Sequence, residues 1–346
     1  MKQPVFSIII PVYNTEQYLP ECLDSVVNQT FPDYEAVIVN DGSTDGSREI
    51  CDTYAEKYPQ LHVFHKENEG PMIARKEGII KANGEYCLFL DSDDFYDKNL
   101  LLTVSRYIRK YNLDLLIFGK HTVYQNKICH EKLTQEKFAL VEKEKMVSRF
   151  MESDKYNSVY TKAIRRKRIL PNLDLLYQNV SYAEDALQTA DFIISSRRTG
   201  ILNECLYYYR IRKSSLIHQK SVSRIRERLC VEKKILDFVQ SQGYLTEDNR
   251  AAYLRKTLHD YMECIYRLNQ RAVPMKEHAA ELELLRKVPF VRELTEDNIR
   301  KGLIVYNRMR AWLLVNRKYR ELVILDHFLL RIQTVLLILK KEEGFL

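Results

Sequence analysis

Three clusters of acidic and polar residues in this sequence have the composition of chemical sites. Asp91-Ser92-Asp93-Asp94 places three carboxylates within four residues, directly after the apolar run Tyr86 to Leu90. Carboxylates held so close together need a cation between them, and hard oxygen donors suit Mg²⁺ or Mn²⁺, which keep several waters and also bind substrate phosphates. The alternative interpretation of this cluster is an acidic turn that caps the following helix.

The second cluster, Asn40 to Ser47, also follows an apolar run and reads Asn-Asp-Gly-Ser-Thr-Asp-Gly-Ser. Its small residues would let a ligand approach the backbone. The cluster has neither the G-x-G-x-x-G nor the Walker spacing, so it is neither a dinucleotide fingerprint nor a P-loop. Taken alone, it is better interpreted as a turn that caps the next helix.

The third cluster, Ser181 to Asp185, precedes a run of helical periodicity. Ser181 and Glu184 have the spacing of a capping box, with Ser181 as the N-cap and Glu184 at position N3. Asp185 then lies in the first helical turn, where the helix dipole favours a charged carboxylate. An ionised and positioned carboxylate is what a general base requires. The pattern predicts a lone Asp185 on a helix distant from the Asp91 cluster.

Strands and helices must position these clusters, and the hydrophobic pattern predicts both. Short β-rich runs alternate with helical periodicity through the first 120 residues. This alternation, with strands apolar on both faces, predicts an α/β fold with a mostly parallel sheet flanked by helices, where ligands bind at the carboxyl ends of the strands. The predicted strands are Phe6 to Val12, Tyr34 to Val39, Leu61 to His65, Tyr86 to Leu90 and Leu115 to Phe118.

The remaining third of the chain has long amphipathic stretches and predicts a helical C-terminal region. We expect a catalytic domain over residues 1–215 and a helical region over 216–346 that contacts the acceptor, a membrane surface or a second copy of the chain. The longest apolar run, Leu322 to Leu339, is interrupted by Asp326 and Arg331, which makes it a poor spanning helix. Packing within the core or a dimer is the favoured interpretation of its apolar side.

Charge is unevenly distributed along the chain. Residues 1–100 hold 8 Lys and Arg against 18 Asp and Glu, whereas the remainder holds 46 against 29. This division suits a chain that handles both a cation and anionic groups. The basic run Arg165 to Arg168 is either a solvated helix face or a site for an anionic acceptor or lipid headgroups. Since the basic residues are mixed with acids and no recognition motif accompanies them, we expect no nucleic-acid partner.

The seven cysteines contain no CxxC motif, and the N-terminus has no signal-peptide cleavage site, so we expect a reduced, cytoplasmic protein. Six motifs in their order and approximate spacing resemble family-2 inverting glycosyltransferases of the GT-A fold, of the type that builds bacterial surface, capsular or wall polysaccharides. The resemblance covers about residues 4 to 215. The motifs are Pro11 to Asn14, Asn40 to Ser47, Asn68 and Gly70 with Ala74-Arg75, Asp91 to Asp94, Glu184-Asp185, and Tyr207 to Arg210 followed by Ser214-Ser215.

The resemblance implies a role for each site residue. Asp185 would deprotonate the acceptor hydroxyl, which then attacks the anomeric carbon of the sugar with inversion. Asp91 would lie near the ribose and the metal, and Asp93 would bind the Mn²⁺ or Mg²⁺ ion, with Asp94 and His218 as further ligands. The implied nucleotide-binding residues are Pro11, Tyr13 and Asp41 around the base, usually uracil, Arg75 at the base or diphosphate, and Arg210, Arg212 and Ser214 at the diphosphate.

We therefore expect a metal-dependent hexosyl- or N-acetylhexosaminyltransferase that uses a UDP-sugar and a growing or lipid-linked surface glycan, peripheral at the inner face of the cell membrane. A non-catalytic glycan-binding or scaffold protein on the same fold is one alternative. A sugar nucleotidyltransferase is disfavoured because the segment Pro11 to Thr15 contains no Gly. A D-x-D phosphatase is disfavoured because Phe95 stands where that family has Thr or Val.

Overall fold

The chain divides into two compact units, residues 1–215 with 239–244 and residues 216–238 with 245–346. The computed structural model describes residues 3–124, 127–130, 133–176, 183–211, 221–296, 299–300 and 303–342. The first unit is an α/β sheet structure and the second is helical. The predicted fold class is therefore confirmed.

A ten-stranded sheet forms the centre of the first unit, within the described residues. Its strands are β1 (Phe6–Val12), β2 (Tyr34–Asp41), β3 (Leu61–Lys66), β4 (Tyr86–Phe89), β5 (Phe95–Tyr96), β6 (Leu115–Tyr124), β7 (Lys127–His130), β8 (Phe138–Val141), β9 (Lys162–Arg165) and β10 (Thr199–Arg210). They lie in the order β3-β2-β1-β4-β9-β6-β10-β5, with β7 beside β6 and β8 beside β10.

The sheet is mixed and mostly parallel. β1 pairs in parallel with β2 and β4, β2 with β3, and β6 with β10. β9 is antiparallel to both β4 and β6, so β4 and β6 run in the same direction. The carboxyl ends of these parallel strands consequently meet at one edge of the sheet, which we call the carboxyl edge, and the strands begin at the opposite edge.

Helices cover the sheet because their apolar residues recur at helical spacing. In the first of them Leu19, Cys22, Leu23 and Val26 are all buried, as the pattern predicts. The helices of the first unit are α1 (Leu19–Val27), α2 (Ser47–Lys57), α3 (Pro71–Lys81), α4 (Leu100–Tyr111), α5 (Lys143–Glu152), α6 (Arg166–Ile169), α7 (Leu173–Leu176) and α8 (Glu184–Ser195).

The C-terminal region contains α9 (Val222–Ser241), α10 (Glu247–Asn269), α11 (Met275–Arg286), α12 (Pro289–Leu294), α13 (Val305–Val315) and α14 (Tyr319–Glu342). Asp326 interrupts the apolar run of α14 because it is buried against Arg310, whose Nε donates to Asp326 Oδ1 at 2.6 Å. Among the described helices, none combines the length and the apolar character needed to cross a membrane. The contacts expected of residues 216–346 stay predictions.

Candidate active site

The loops that follow β1, β2 and β4 bring the predicted site residues to the carboxyl edge. Val12 is level with Asn40 and Ile9 is level with Phe89 in the sheet register. Tyr13, Asp41 and Asp91 therefore follow neighbouring strands at nearly the same height. Tyr13 is 50% exposed, so its ring is available to stack on a flat ligand.

Hydrogen bonds between polar side chains tie these loops to one another. Thr15 Oγ1 donates to Ser92 Oγ at 2.9 Å, and the Thr44 N–H donates to Asn14 Oδ1 at 2.8 Å. Asp45 accepts from the Ser47 N–H at the start of α2. The N-cap of α2 is Gly46, which has no side chain to cap the helix, so the cluster Asn40 to Ser47 contributes only the Asp45 contact at this helix start. The cluster also fixes the loop after β1.

Asp41 is 2% exposed and holds the start of α3. Its Oδ1 accepts from the Glu69 N–H at 3.0 Å and its Oδ2 accepts from the Gly70 N–H at 2.8 Å. Gly70 has φ +92°, a left-handed conformation that favours glycine. The side chain expected at the nucleotide base is therefore also the anchor of the helix that carries Arg75.

Arg75 connects the candidate donor site to the candidate base. Its side chain is 4% exposed; Nη1 donates to Asp185 Oδ1 at 2.7 Å and Nη2 to Asp91 Oδ1 at 2.9 Å. Gly78, one turn later, lets α3 approach the sheet, since a Cβ there would lie 2.5 Å from Ile9 Cγ2. The guanidinium of Arg75 is thus buried among carboxylates, and the expectation that it reaches the base or diphosphate stays a prediction.

The sequence analysis predicts that Asp185 lies alone on a helix distant from the Asp91 cluster. This prediction is wrong, because one guanidinium binds the carboxylates of both Asp91 and Asp185. Two side chains of α8 complete its surroundings: Nη1 of Arg75 also lies 3.4 Å from Glu184 Oε1 and from Gln188 Oε1. Chain distance gave no sign of this arrangement. The contact forms because Arg75 of α3 reaches both Asp91, which follows β4, and Asp185 in the first turn of α8.

The predicted capping box is not formed. α8 begins at Glu184 with Ala183 as its N-cap, and no side chain caps it. Glu184 is instead turned toward Arg75, and Ser181 lies outside the described residues. Ala183 has φ +62°, which is not helical, so α8 begins at Glu184, two residues later than predicted.

The adjacent acids Glu184 and Asp185 both have raised pKa values, and they differ in their distance from Arg75. Burial raises the pKa of Glu184 to about 7, and the charge of Asp185 adds to this while Arg75 opposes it. Burial also raises the pKa of Asp185, with Arg75 opposing the effect. Since Arg75 lies 2.7 Å from Asp185 and 3.4 Å from Glu184, it stabilises the ionised form of Asp185 more strongly.

Asp94 has a structural task. Its Oδ2 accepts from the Tyr207 hydroxyl and its Oδ1 from the Arg210 N–H, both at 2.7 Å, and the residue is 2% exposed. Burial and the charges of Asp93 and Asp91 raise its pKa. Both oxygens of Asp94 are thus committed to β10, whereas Asp91 and Asp93 are only half-buried.

The remaining predicted residues divide into two groups. Pro11 is half-buried at the end of β1, and the guanidinium of Arg210 donates to Glu21 at 2.7 Å and lies over the Tyr18 ring. Arg210 therefore reaches the site by its backbone, while its side chain pairs elsewhere. Three further predicted residues lie outside the described residues, namely Arg212, Ser214 and His218.

Lys162 and Tyr160 belong to the site although the sequence analysis does not name them. Lys162 is fully buried on β9, and its Nζ donates to the Tyr156 carbonyl at 2.7 Å. Burial lowers the pKa of Lys162 to about 7, while the charge of Asp185 acts in the opposite direction. Tyr160 stacks on Tyr207 with ring centroids 4.4 Å apart. Lys162 begins the four-residue strand Lys-Ala-Ile-Arg, so no apolar pattern in the sequence marked it as buried.

An α/β sheet with acidic residues at its carboxyl edge defines the class of this protein as a GT-A-type fold. The family model described as Glycosyl transferase family 2 matches residues 7–170. Glycosyltransferase GlyG of Streptococcus pneumoniae serotype 4 is 30% identical over 230 residues, which are 62% of this chain and 73% of GlyG. The chain belongs to glycosyl transferase family 2.

Two further similarities are informative. A poly(ribitol-phosphate) beta-glucosyltransferase of Bacillus spizizenii is 43% identical over 115 residues, covering 32% of this chain and 18% of that protein. The crystal structure of S. aureus TarS 1-349 in complex with UDP-GlcNAc superposes with a TM-score of 0.73 at 23% identity, over 93% of this chain and 90% of that one. The chain spans 63% and 36% of the length of two other curated glycosyltransferases that it matches.

Proposed function

We propose that this protein is an inverting glycosyltransferase that moves a hexose or N-acetylhexosamine from a UDP-sugar to a hydroxyl of a bacterial surface glycan. One observation carries the proposal: a single buried guanidinium, Arg75, lies within hydrogen-bond distance of both Asp91 and Asp185. Asp91 stands where the family binds the donor, and Asp185 where it activates the acceptor. The TarS complex with UDP-GlcNAc supports the class of donor, since the fold is shared.

In the proposed reaction, Asp185 takes the proton of the acceptor hydroxyl. The hydroxyl oxygen forms a bond to the anomeric carbon while the bond from that carbon to the diphosphate oxygen breaks, so configuration inverts and UDP leaves. Arg75 orients Asp185 and favours the ionised form of its carboxylate, in opposition to the burial that raises the pKa of Asp185. Glu184 is the weaker candidate because Arg75 Nη1 lies 3.4 Å from its carboxylate and 2.7 Å from that of Asp185, so Glu184 is oriented less firmly.

The donor set fits a hard divalent cation. Asp91 and Asp93 are half-buried carboxylates at one strand end, which suits Mg²⁺ or Mn²⁺ completed by water and phosphate oxygens. When bound, such an ion would neutralise the negative charge that develops on the departing diphosphate. We assign Asp94 a positioning role instead of metal binding, because both of its oxygens accept hydrogen bonds from β10.

Tyr13 and Asp41 are proposed to bind the base. The half-exposed Tyr13 ring offers a stacking surface. Asp41 Oδ1 already accepts from the Glu69 N–H and from Lys66 Nζ, so Oδ2, which accepts from the Gly70 N–H, is the oxygen we propose for the base. The acceptor class is proposed to be a surface polymer, supported by the similarity to a poly(ribitol-phosphate) beta-glucosyltransferase. A cytoplasmic location at the membrane surface is proposed with it.

The test separates donor binding from transfer. Thermal unfolding is measured with UDP, GDP, CDP and ADP, each with and without Mn²⁺; ligand at about 100 times its Kd adds roughly 2.7 kcal/mol. We expect stabilisation by UDP with Mn²⁺, lost in Asp93→Ala. Asp185→Asn is expected to keep UDP binding and lower transfer by about 10²- to 10⁴-fold.

Asp174→Asn on α7 is the matched control, since its side chain is 99% exposed and loses the same charge. This control is expected to transfer at the wild-type rate. Wild-type transfer by Asp185→Asn would overturn the assignment of the base. Nucleotide binding without turnover of any UDP-sugar would favour the scaffold alternative.

A further inference from the structure

A cavity of about 600 Å³ lies in the first unit, away from the candidate active site. Its walls come from residues that precede β6 and β10, from the end of β8, and from the end of β9 with the helix α6 that follows. These are the segments that meet at the edge where β6 and β10 begin. Its cationic side chains are Arg165, Lys167, Arg168, Arg197 and Arg198.

The sheet register fixes the distance between this cavity and the active site. Arg165 of β9 is level with Tyr86, the first residue of β4, and Asp91 comes five residues later along the chain. At about 3.3 Å per strand residue, the two places are roughly 16 Å apart along the strands. The cavity is therefore separate from the proposed donor site.

One buried carboxylate organises the arginines of the cavity. Asp114 is 5% exposed and lies 2.9 Å from Arg168 Nη2 and 3.1 Å from Arg165 Nε. It also accepts from the Arg197 N–H at 2.9 Å. Asp114 thus holds three separate segments together at the mouth of the cavity.

The cavity retains a positive excess after this pairing. Its lining includes five cations against the carboxylates of Asp114 and Glu142. Lys167, Arg197 and Arg198 are exposed, and within the part of the chain that the structure describes they have no carboxylate within ion-pair distance. Concave surfaces lined by one sign of charge concentrate ions of the opposite sign.

We propose that this cavity binds phosphate groups of a polyanionic acceptor glycan, one whose repeats are joined by phosphodiesters. The inference rests on the proposed function and deepens it by naming the acceptor class. A volume of about 600 Å³ equals roughly twenty waters at about 30 Å³ each, which exceeds a single phosphate group. A flat bilayer surface does not enter a concave site of this kind, whereas a flexible polymer does.

Such a site would hold the acceptor at a distance from the reacting hydroxyl. Binding of remote parts of a substrate raises the local concentration of the chain at the active site without contact with the reacting atoms. Polymers with more repeats would therefore be better acceptors than single repeats. Guanidinium groups suit this task because they bind phosphate oxygens in pairs.

The experiment compares the double variant Arg197→Ala/Arg198→Ala with a matched control, Arg106→Ala/Lys155→Ala. All four side chains are exposed, and Arg106 and Lys155 do not line the cavity. Calorimetric titration of the full chain uses an oligo(ribitol phosphate), a neutral glucan oligomer of similar length, inorganic phosphate, and phosphatidylglycerol vesicles. UDP binding with Mn²⁺ is measured in parallel.

We expect the cavity variant to bind the oligo(ribitol phosphate) roughly tenfold more weakly or worse, as two lost charged hydrogen bonds imply. The control variant should bind it as the wild type does, and UDP binding should be the same in all three proteins. Equal oligomer affinity in the two variants would overturn the inference. The inference would also be overturned if the wild type bound the neutral glucan or inorganic phosphate as tightly as the oligo(ribitol phosphate), or if it bound only the vesicles.

These results are distinguishable from failure of the proposed function. If the cavity does not bind the acceptor, UDP binding and sugar transfer are still intact, because neither variant changes Asp91, Asp93 or Asp185. Failure of the proposed function removes UDP binding or transfer in the wild type, whatever the oligomer does. Only a fall in oligomer affinity confined to the cavity variant supports the site.

Discussion

The two edges of the central sheet carry charged clusters of opposite sign, and each cluster is organised around one buried ion. At the carboxyl edge one buried cation, Arg75, binds Asp91, Glu184 and Asp185. At the opposite edge one buried anion, Asp114, binds Arg165 and Arg168. Each cluster of like charges is gathered around a single group of the other sign.

This comparison shows how like charges can be concentrated without unfolding the site. A buried ion is costly unless it is paired, so the central group fixes its partners in place. Because the central group is outnumbered by its partners, each cluster keeps an excess of charge of one sign. The excess is negative where the reaction needs a cation and a base, and positive where we place the phosphates of the acceptor.

Removal of Arg75 should have the largest effect. In Arg75→Met the three carboxylates lose their shared cation, and we expect a loss of about 3–5 kcal/mol in the free energy of unfolding. Transfer should fall at least about a hundredfold, since a misplaced base is ineffective. The carboxylates should also gain higher pKa values, so the loss of stability should be greater at pH 8 than at pH 6. Urea unfolding at both pH values and initial transfer rates measure these effects.

Lys76→Met on the same helix is the control for this variant. Lys76 pairs with Asp174, whose side chain is 99% exposed. Exposed pairs contribute about 0–1 kcal/mol, so the control should retain both stability and transfer. If Arg75→Met proved as stable and active as Lys76→Met, the bridging role of Arg75 would be rejected.

Asp191 sharpens the comparison because it is a buried acid that, among the residues the structure describes, is bound by neutral side chains and by no cation. It is fully buried on α8, where its Oδ1 accepts from Ser195 Oγ at 2.7 Å and from Asn172 Nδ2. Burial raises its pKa from 3.8 to about 7, although both hydrogen bonds oppose the shift. Burial also raises the pKa of Asp185, six residues earlier, but there the charge of Arg75 opposes the shift.

Asp191→Asn should therefore reduce the dependence of stability on pH. A carboxyl with a raised pKa in the folded state contributes its full stability below about pH 4 and loses it as the pH rises toward about 7. The wild type should lose up to about 1.4 kcal/mol per pH unit from this group across that window, and the variant should not. Parallel slopes for the two proteins in urea titrations between pH 4.5 and 7.5 would contradict the shift.

The sequence predicted the sheet and its edge well because both depend on local patterns. Runs apolar on both faces identified β1, β2 and β4, and the polar residues that end them met at one edge because parallel strands run in one direction. Five described strands, β5 and β7 to β10, were not among the predicted ones, and the antiparallel β9 is an example. It is four residues long and follows short 3₁₀ turns, so no periodicity marked it.

The pairing of Arg75 with Asp185 could not be predicted from spacing. These residues are 110 positions apart and meet only in the folded chain, where Arg75 of α3 and Asp185 of α8 come together beside Asp91. The capping box failed for the same kind of reason: Glu184 has the correct spacing from Ser181, but the contact with Arg75 draws its side chain away. Local rules yield to a buried ion pair when the two compete for one carboxylate.

Removal of Asp114 tests the opposite edge and should have the smallest effect of the three. Burial acts to raise its pKa, but Arg168, the Arg197 N–H and Arg165 outweigh burial and lower the pKa below 3.8. Its stability contribution is therefore present at neutral pH and is lost as the pH falls below about 4. Asp114→Asn should lose about 1–3 kcal/mol in the free energy of unfolding at pH 7 and differ little from the wild type at pH 3.

The effect of Asp114→Asn is smaller than that of Arg75→Met because Arg165 and Arg168, at 14% and 20% exposure, regain water when the carboxylate is removed. Asp52→Asn, which breaks an exposed pair with His65, is the control and should cost about 0–1 kcal/mol at either pH. Equal losses for Asp114→Asn at pH 3 and pH 7 would show that its shape, and not its charge, holds this edge together.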